Sequence, residues 1–135
     1  MKYLLYIAAV AILTGVSTSC TKKVKPNFLE GKWKVVSLID EDNPENNKSE
    51  DYFKSEPMTY EFMTEDNKYG QKELFVYKNG EMGLCYYEIV NNSALDVSDD
   101  ETGRESRVML INKIDNKTFE LRKSENSQTL KIVRQ

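Results

Sequence analysis

ELFVYKNGEMGLCYYEIV, residues 73–90, decides the fold. Two runs of β-type residues, Glu73–Lys78 and Glu81–Val90, meet at Asn79-Gly80. A two-residue type I′ turn needs positive φ at both central positions, and Asn-Gly supplies it most readily. The stretch is therefore a hairpin. Working outward, similar runs recur at Trp33–Ile39, Met58–Met63, Ala94–Val97, Ser106–Ile114, Thr118–Lys123 and Gln128–Arg134. Clusters of Asn, Asp, Ser and Gly separate most of them, and no segment sustains a 3.6-residue period. Short strands with turn signals between them predict an all-β, eight-stranded antiparallel up-and-down barrel. Closure removes the unpaired edges that consecutive hairpins would otherwise expose.

The connection Asp40–Pro57 is too long for a tight hairpin and too polar for a core. It predicts a short helix in the loop after strand 1, capped by Asn46 or Asn47, with Glu50 and Asp51 in its first turn. Tyr52 and Phe53 give that helix an apolar patch, and Pro57 stops it.

Side chains alternate along a strand, so parity assigns the interior. Tyr60 and Phe62 oppose Glu61, and Cys85, Tyr87 and Ile89 oppose Glu88. Leu95 and Val97, Phe119 and Leu121, and Leu130 and Ile132 follow the same rule. Leu74–Tyr77 and Val108–Ile111 are apolar on both faces, and parity leaves them open.

Composition excludes several classes of function. The 135 residues carry 19 Lys plus Arg and 22 Asp plus Glu, a net charge of −3, which argues against a nucleic-acid partner. With 39% hydrophobic and 30% charged residues the chain is no polytopic membrane protein. It contains no histidine, so it lacks Ser-His-Asp triads, Cys-His pairs and His-ligated zinc. Its six glycines form no phosphate loop, and the acidic run Asp96–Gly103 lacks the spacing of a calcium loop. The expectation is a non-enzyme with no catalytic residue, no metal and no cofactor.

The N-terminus reads as an address. Lys2 precedes the 13-residue apolar run Leu4–Val16, then come Ser17, Thr18, Ser19 and Cys20. That run is too short for a roughly 30 Å hydrocarbon core and suits the apolar region of a signal peptide. Residues 1–20 resemble a bacterial lipoprotein signal, although Ser17 stands where an aliphatic residue is usual. The resemblance implies a signal peptide over 1–19, cleavage before Cys20, and fatty acyl chains such as palmitate on that residue. Several chains on one cysteine meet the requirement for stable membrane anchoring. The mature chain would have 116 residues, and loss of Lys2 would take its charge from −3 to −4. Residues 20–27 then form the lipidated cysteine and its tether. Lys22 and Lys23 stand where surface-exported lipoproteins of Bacteroidetes often carry acids, so the resemblance favours an outer-membrane lipoprotein facing the periplasm. With Cys20 lipidated, Cys85 has no intramolecular disulfide partner and reads as a small core residue.

Asn27-Phe28-Leu29-Glu30-Gly31-Lys32-Trp33 places Gly-x-Trp at the start of the first strand. With Tyr60-Glu61-Phe62, Tyr87-Glu88-Ile89 and Leu130-Lys131-Ile132 it resembles the small lipocalin-like, calycin-type lipoproteins of Bacteroidetes-like bacteria. The resemblance covers residues 27–134 and implies a barrel domain over 28–135. Gly31 would let the backbone pass close under the barrel floor, and Trp33 would plug it. An arginine late in the chain would pack on that indole, and Arg122 and Arg134 are both candidates.

An eight-stranded barrel is either filled by its side chains or holds one small ligand. Two readings follow. In one, a small apolar or amphipathic ligand sits against a wall of Tyr60, Phe62, Tyr87 and Ile89 under a lid of Tyr52 and Phe53. In the other, the barrel is filled, and loops 40–57 and 98–105 bind an envelope protein, as an inhibitor or accessory subunit would.

Overall fold

The computed structural model describes residues 27–125 and 127–135. The expected signal segment, Cys20 and the expected tether as far as residue 26 lie outside the described residues. Eight strands follow one another: β1 (Gly31–Asp40), β2 (Met58–Asp66), β3 (Lys72–Lys78), β4 (Glu81–Val90), β5 (Ala94–Ser98), β6 (Arg107–Asp115), β7 (Thr118–Lys123) and β8 (Gln128–Arg134). Each pairs antiparallel with the next, and β1 pairs with β8, from Trp33↔Arg134 to Asp40↔Gln128. The barrel is closed and up-and-down.

Turn chemistry sets the register. Asn79 and Gly80 have φ of 52° and 84°, as a type I′ hairpin demands. Asn91 and Asn92 repeat the device between β4 and β5, with φ of 53° and 57°. Asparagine tolerates this left-handed conformation better than most residues with a Cβ.

The alternating positions chosen by parity are buried, with Ile89 partly so. Pairing also settles the two ambiguous strands. Phe62↔Leu74 and Leu95↔Met109 put Leu74 and Met109 inside, and Val76 and Ile111 go with them. Val108 and Leu110 face out and are exposed. In β1 the ladder with β8 shifts between Val35 and Ser37. The extra residue of this bulge reverses the alternation, as bulges do. Trp33 and Val35 point inward before it; Leu38 packs against the core and Asp40 is buried after it.

The connection after β1 holds a 3-10 turn (Pro44–Asn46) and a short helix α1 (Glu50–Ser55). The expected cap is corrected: Ser49, not Asn46 or Asn47, occupies the N-cap position. The two asparagines serve Asp40 instead. Asn47 Oδ1 accepts the Asp40 N–H at 2.7 Å, and Asn46 Nδ2 donates to Asp40 Oδ2 at 3.2 Å. The Asp40 carboxylate also accepts the backbone N–H groups of Asp42 (3.1 Å) and Asn43 (3.0 Å), and Gln128 Nε2 (3.1 Å). The Gln128 side chain, then the Asn43 N–H, hold its carboxyl below the usual carboxylate range. A backbone pair between Leu38 and Lys48 fastens the loop further.

Up-and-down order gives the barrel two ends. At one, β1 begins and β8 finishes; this is the floor. The other, the mouth, carries the 40–57 connection, the Asn79-Gly80 turn, the 98–107 loop and the turn from β7 to β8.

Candidate functional site

The floor is built around Trp33, which is fully buried and donates its indole N–H to Leu29 O at 2.7 Å. Phe119 meets it edge-on at 5.2 Å and stacks on Phe28 at 5.4 Å. The Arg134 guanidinium lies 4.3 Å from the Trp33 ring centre, a cation–π contact worth about 0.5–2 kcal/mol. Arg134 Nη1 and Nη2 also donate to Glu30 O (2.8 Å) and Phe28 O (2.9 Å), tying the chain's entrance to its last strand. Gly31 has φ +108°, and a Cβ there would stand 3.2 Å from Arg134 Nη1. The positive φ favours glycine, and a side chain there would also push on the Arg134 guanidinium. Of the two arginine candidates, Arg134 is the floor residue. Arg122 is corrected: it sits near the opposite end of β7, 53% exposed, with Nη2 3.8 Å from Glu41 Oε2. The register explains the outcome, because Trp33 pairs with Arg134 across the closing seam.

Tyr87 belongs to the floor side as well. Its ring meets Phe62 edge-on at 5.0 Å. Its hydroxyl donates to Met63 O and accepts from Asn27 Nδ2. Burial pushes the phenol far above its ordinary range.

Toward the mouth the interior opens into a cavity of about 180 Å³. Leu74, Val76, Leu95, Val97 and Met109 form its apolar wall. Tyr60 and Cys85 bring polar atoms to that wall, and Arg107, Lys123 and Glu125 supply charge near the strand ends. Small-molecule sites usually measure about 300–1,000 Å³. A cavity of about 150 Å³ lined by apolar residues nevertheless binds benzene. The space suits one ring or a short branched chain, not a lipid tail.

Tyr60 is 6% exposed, and its hydroxyl makes no hydrogen bond within the described residues. Among those residues no wholly enclosed side-chain nitrogen or oxygen lacks a partner. The Tyr60 hydroxyl therefore opens onto the cavity that its ring lines. Burial, against a smaller opposing effect of Arg107, pushes this phenol far above its ordinary range, so it stays an O–H donor at neutral pH. Burial likewise pushes the Cys85 thiol up to about 11, with Arg107 again opposing. Cys85 is thus a protonated thiol, which donates weakly to Leu74 O at 3.6 Å. Arg107 Nη2 lies 3.4 Å from Asp99 Oδ1, an exposed pair of little intrinsic strength. Lys123 Nζ donates to Gln128 Oε1 at 3.5 Å.

Of the six residues expected at a ligand wall and lid, Tyr60 lines the cavity. Phe62 and Tyr87 lie buried on the floor side of it, and Ile89 packs against the core. Phe53 packs on the core from α1, while Tyr52 is half exposed, edge-on to Phe53 at 5.1 Å and 4.9 Å from the Lys48 ammonium. Neither of these two lines the cavity. Sequence reading missed Leu74, Val76 and Met109 because both faces of their strands are apolar. It missed Arg107, Lys123 and Glu125 because a charge beside a turn reads as solvated.

The acidic loop after β5 satisfies itself. The buried Ser98 hydroxyl donates to Arg104 O at 2.7 Å, and the Asp100 carboxylate accepts the Thr102 N–H (3.1 Å) and hydroxyl (2.8 Å). Among the described residues no group of three or more Cys, Asp or Glu is arranged to hold a metal ion. No known protein family matches this chain, and neither a curated protein nor a solved structure does.

Proposed function

We propose that the chain is a lipocalin-like envelope lipoprotein, anchored through Cys20, whose barrel binds one compact apolar or amphipathic molecule at its mouth. The observation that carries this reading is the cavity of about 180 Å³ onto which the Tyr60 hydroxyl, unbonded among the described residues, opens. That hydroxyl is accessible from the cavity rather than enclosed, so a ligand acceptor or a water can accept its hydrogen bond. No catalytic step is assigned. Lys22 and Lys23 support a periplasm-facing position on the outer membrane.

Native mass spectrometry of protein extracted gently from its envelope tests the reading. A reproducible adduct is expected, lost when Val76→Phe fills the cavity while the fold persists. A clean mass, even after exposure to an envelope extract, overturns ligand binding. Anchoring is tested separately: Cys20→Ser should abolish incorporation of an alkyne-tagged palmitate.

A second reading, contact with an envelope protein, has its own observation. On the outer face Phe75 pairs directly with Leu84, and Tyr77 with Met82; Leu84 is 42% and Met82 56% exposed. Apolar surface of this kind marks contact sites when contiguous. Leu84→Lys should remove a crosslinked partner if that reading holds.

A further inference from the structure

We infer that the molecule bound at the mouth is a compact carboxylic acid in its anionic form, with its carboxylate between Arg107 and the Tyr60 hydroxyl and its apolar body against Leu74, Leu95 and Met109. The inference rests on the ligand-binding reading above and adds the chemistry of the head group.

The cavity has two kinds of surface. Its depth is hydrocarbon, and a volume of about 180 Å³ limits the body to one ring or a short branched chain. Its polar atoms are mostly donors: the Tyr60 O–H, the Arg107 guanidinium and the Lys123 ammonium. The Glu125 carboxylate is the acceptor among the charged lining groups. Two features single out an anion. Tyr60 is over nine-tenths buried and its hydroxyl makes no hydrogen bond to the described residues, so an acceptor that reaches it displaces water at most and breaks no bond within them. Arg107 already holds a carboxylate, that of Asp99, at 3.4 Å. That pair is exposed and weak, while the planar guanidinium keeps further N–H groups for a second carboxylate.

Arg107 and Lys123 are balanced by Asp99 and Glu125, so no general positive field draws the ligand in. Selectivity would come from short-range donors at the cavity, where a charge-assisted hydrogen bond is about twice as strong as a neutral one. The ammonium of Lys123 is a second cation near the same opening. Glu125 disfavours a ligand bearing a second negative charge.

The test uses the lipidated protein in nanodiscs, titrated by calorimetry with benzoate, benzyl alcohol and cyclohexanecarboxylate, with empty nanodiscs as blanks. Benzoate and cyclohexanecarboxylate are expected to bind at least tenfold more tightly than benzyl alcohol. Arg107→Gln should erase that preference, and Tyr60→Phe should weaken benzoate about tenfold while leaving benzyl alcohol nearly unchanged. Benzyl alcohol binding as tightly as benzoate overturns the inference and leaves the cavity reading standing. Failure of all three to bind at millimolar concentration overturns both. The wild-type comparison decides the matter even if either variant fails to fold.

Discussion

At the floor every polar atom on a buried aromatic ring has a partner. The Trp33 N–H meets Leu29 O, the Tyr87 hydroxyl sits between Met63 O and Asn27, and Arg134 caps the indole while gripping two carbonyls. Toward the mouth Tyr60 is buried almost as deeply as Tyr87, and its hydroxyl has none among the described residues. The same residue type thus stands at two levels of one interior in opposite chemical situations. A satisfied phenol holds two segments together. One that opens onto accessible space ties no segments together and is left for water or another acceptor. The floor is where the barrel is fastened; the mouth is where, on the proposed reading, a ligand would bind.

The sharpest way to break the comparison is to remove the plug. Trp33→Ala deletes the largest fully buried side chain, its N–H bond to Leu29 and the seat of Arg134. The expected loss is about 3–5 kcal/mol, read by urea unfolding. Cavity-wall truncations such as Val76→Ala should cost far less, because that wall already borders open space. Equal losses at the two levels would erase the distinction.

Next comes Tyr87→Phe. It leaves Met63 O and Asn27 Nδ2 without their partner, so a loss of about 1–3 kcal/mol is expected in the same assay. The aromatic contact with Phe62 survives, which keeps the effect below that of Trp33→Ala.

How much of this was legible in the sequence depends on what each residue reports. Asn79-Gly80 and the alternation around Glu61, Glu88, Asp96, Glu120 and Lys131 reported strands, turns and inward faces directly, because a charge marks the outside of a pleat. Gly31-Lys32-Trp33 announced the floor. The arginine above it was not legible: Arg134 lies on β8, which pairs with β1 opposite Trp33, whereas Arg122 lies on β7, and which strand closes on β1 is a long-range property. The bulge at Val35–Ser37 was hidden because Val35-Val36 offers no polar residue to mark the skipped position. The cavity was hidden for a related reason. Leu74 and Met109 lie in runs that are apolar on both faces, and Tyr60 looks the same in sequence whether its hydroxyl is bonded or not.

Acid should separate the ends further. Hydrogen bonds from Gln128 and Asn43 lower the Asp40 pKa, and these contacts hold the mouth-end connection to the barrel. A depressed carboxyl contributes stability that is present above its unfolded value of about 3.9 and is lost as pH falls through the lower folded value. The segment 41–56 should therefore lose amide-exchange protection in acid before the strands around Trp33 do. Asp40→Asn should show a weaker dependence of that protection on pH. Simultaneous loss at both ends would mean that Asp40 does not govern the connection. The segment 40–57 carries seven acids against two lysines, a net −5, so added salt at neutral pH should tighten it by screening its self-repulsion.

The smallest expected effect is the most discriminating. Tyr60→Phe removes a hydroxyl with no partner among the described residues, so ligand-free stability should change by less than about 0.5 kcal/mol, or rise slightly. Tyr87→Phe removes the same atom from the same residue type and should cost several times more. If the two substitutions cost the same, Tyr60 is an ordinary core residue and the cavity has no chemical preference. If Tyr60→Phe is neutral in the free protein but weakens carboxylate binding, its hydroxyl contributes only when the cavity is occupied. Stability and binding would then be divided between two tyrosines on neighbouring levels of one core, each readable by deleting a single oxygen.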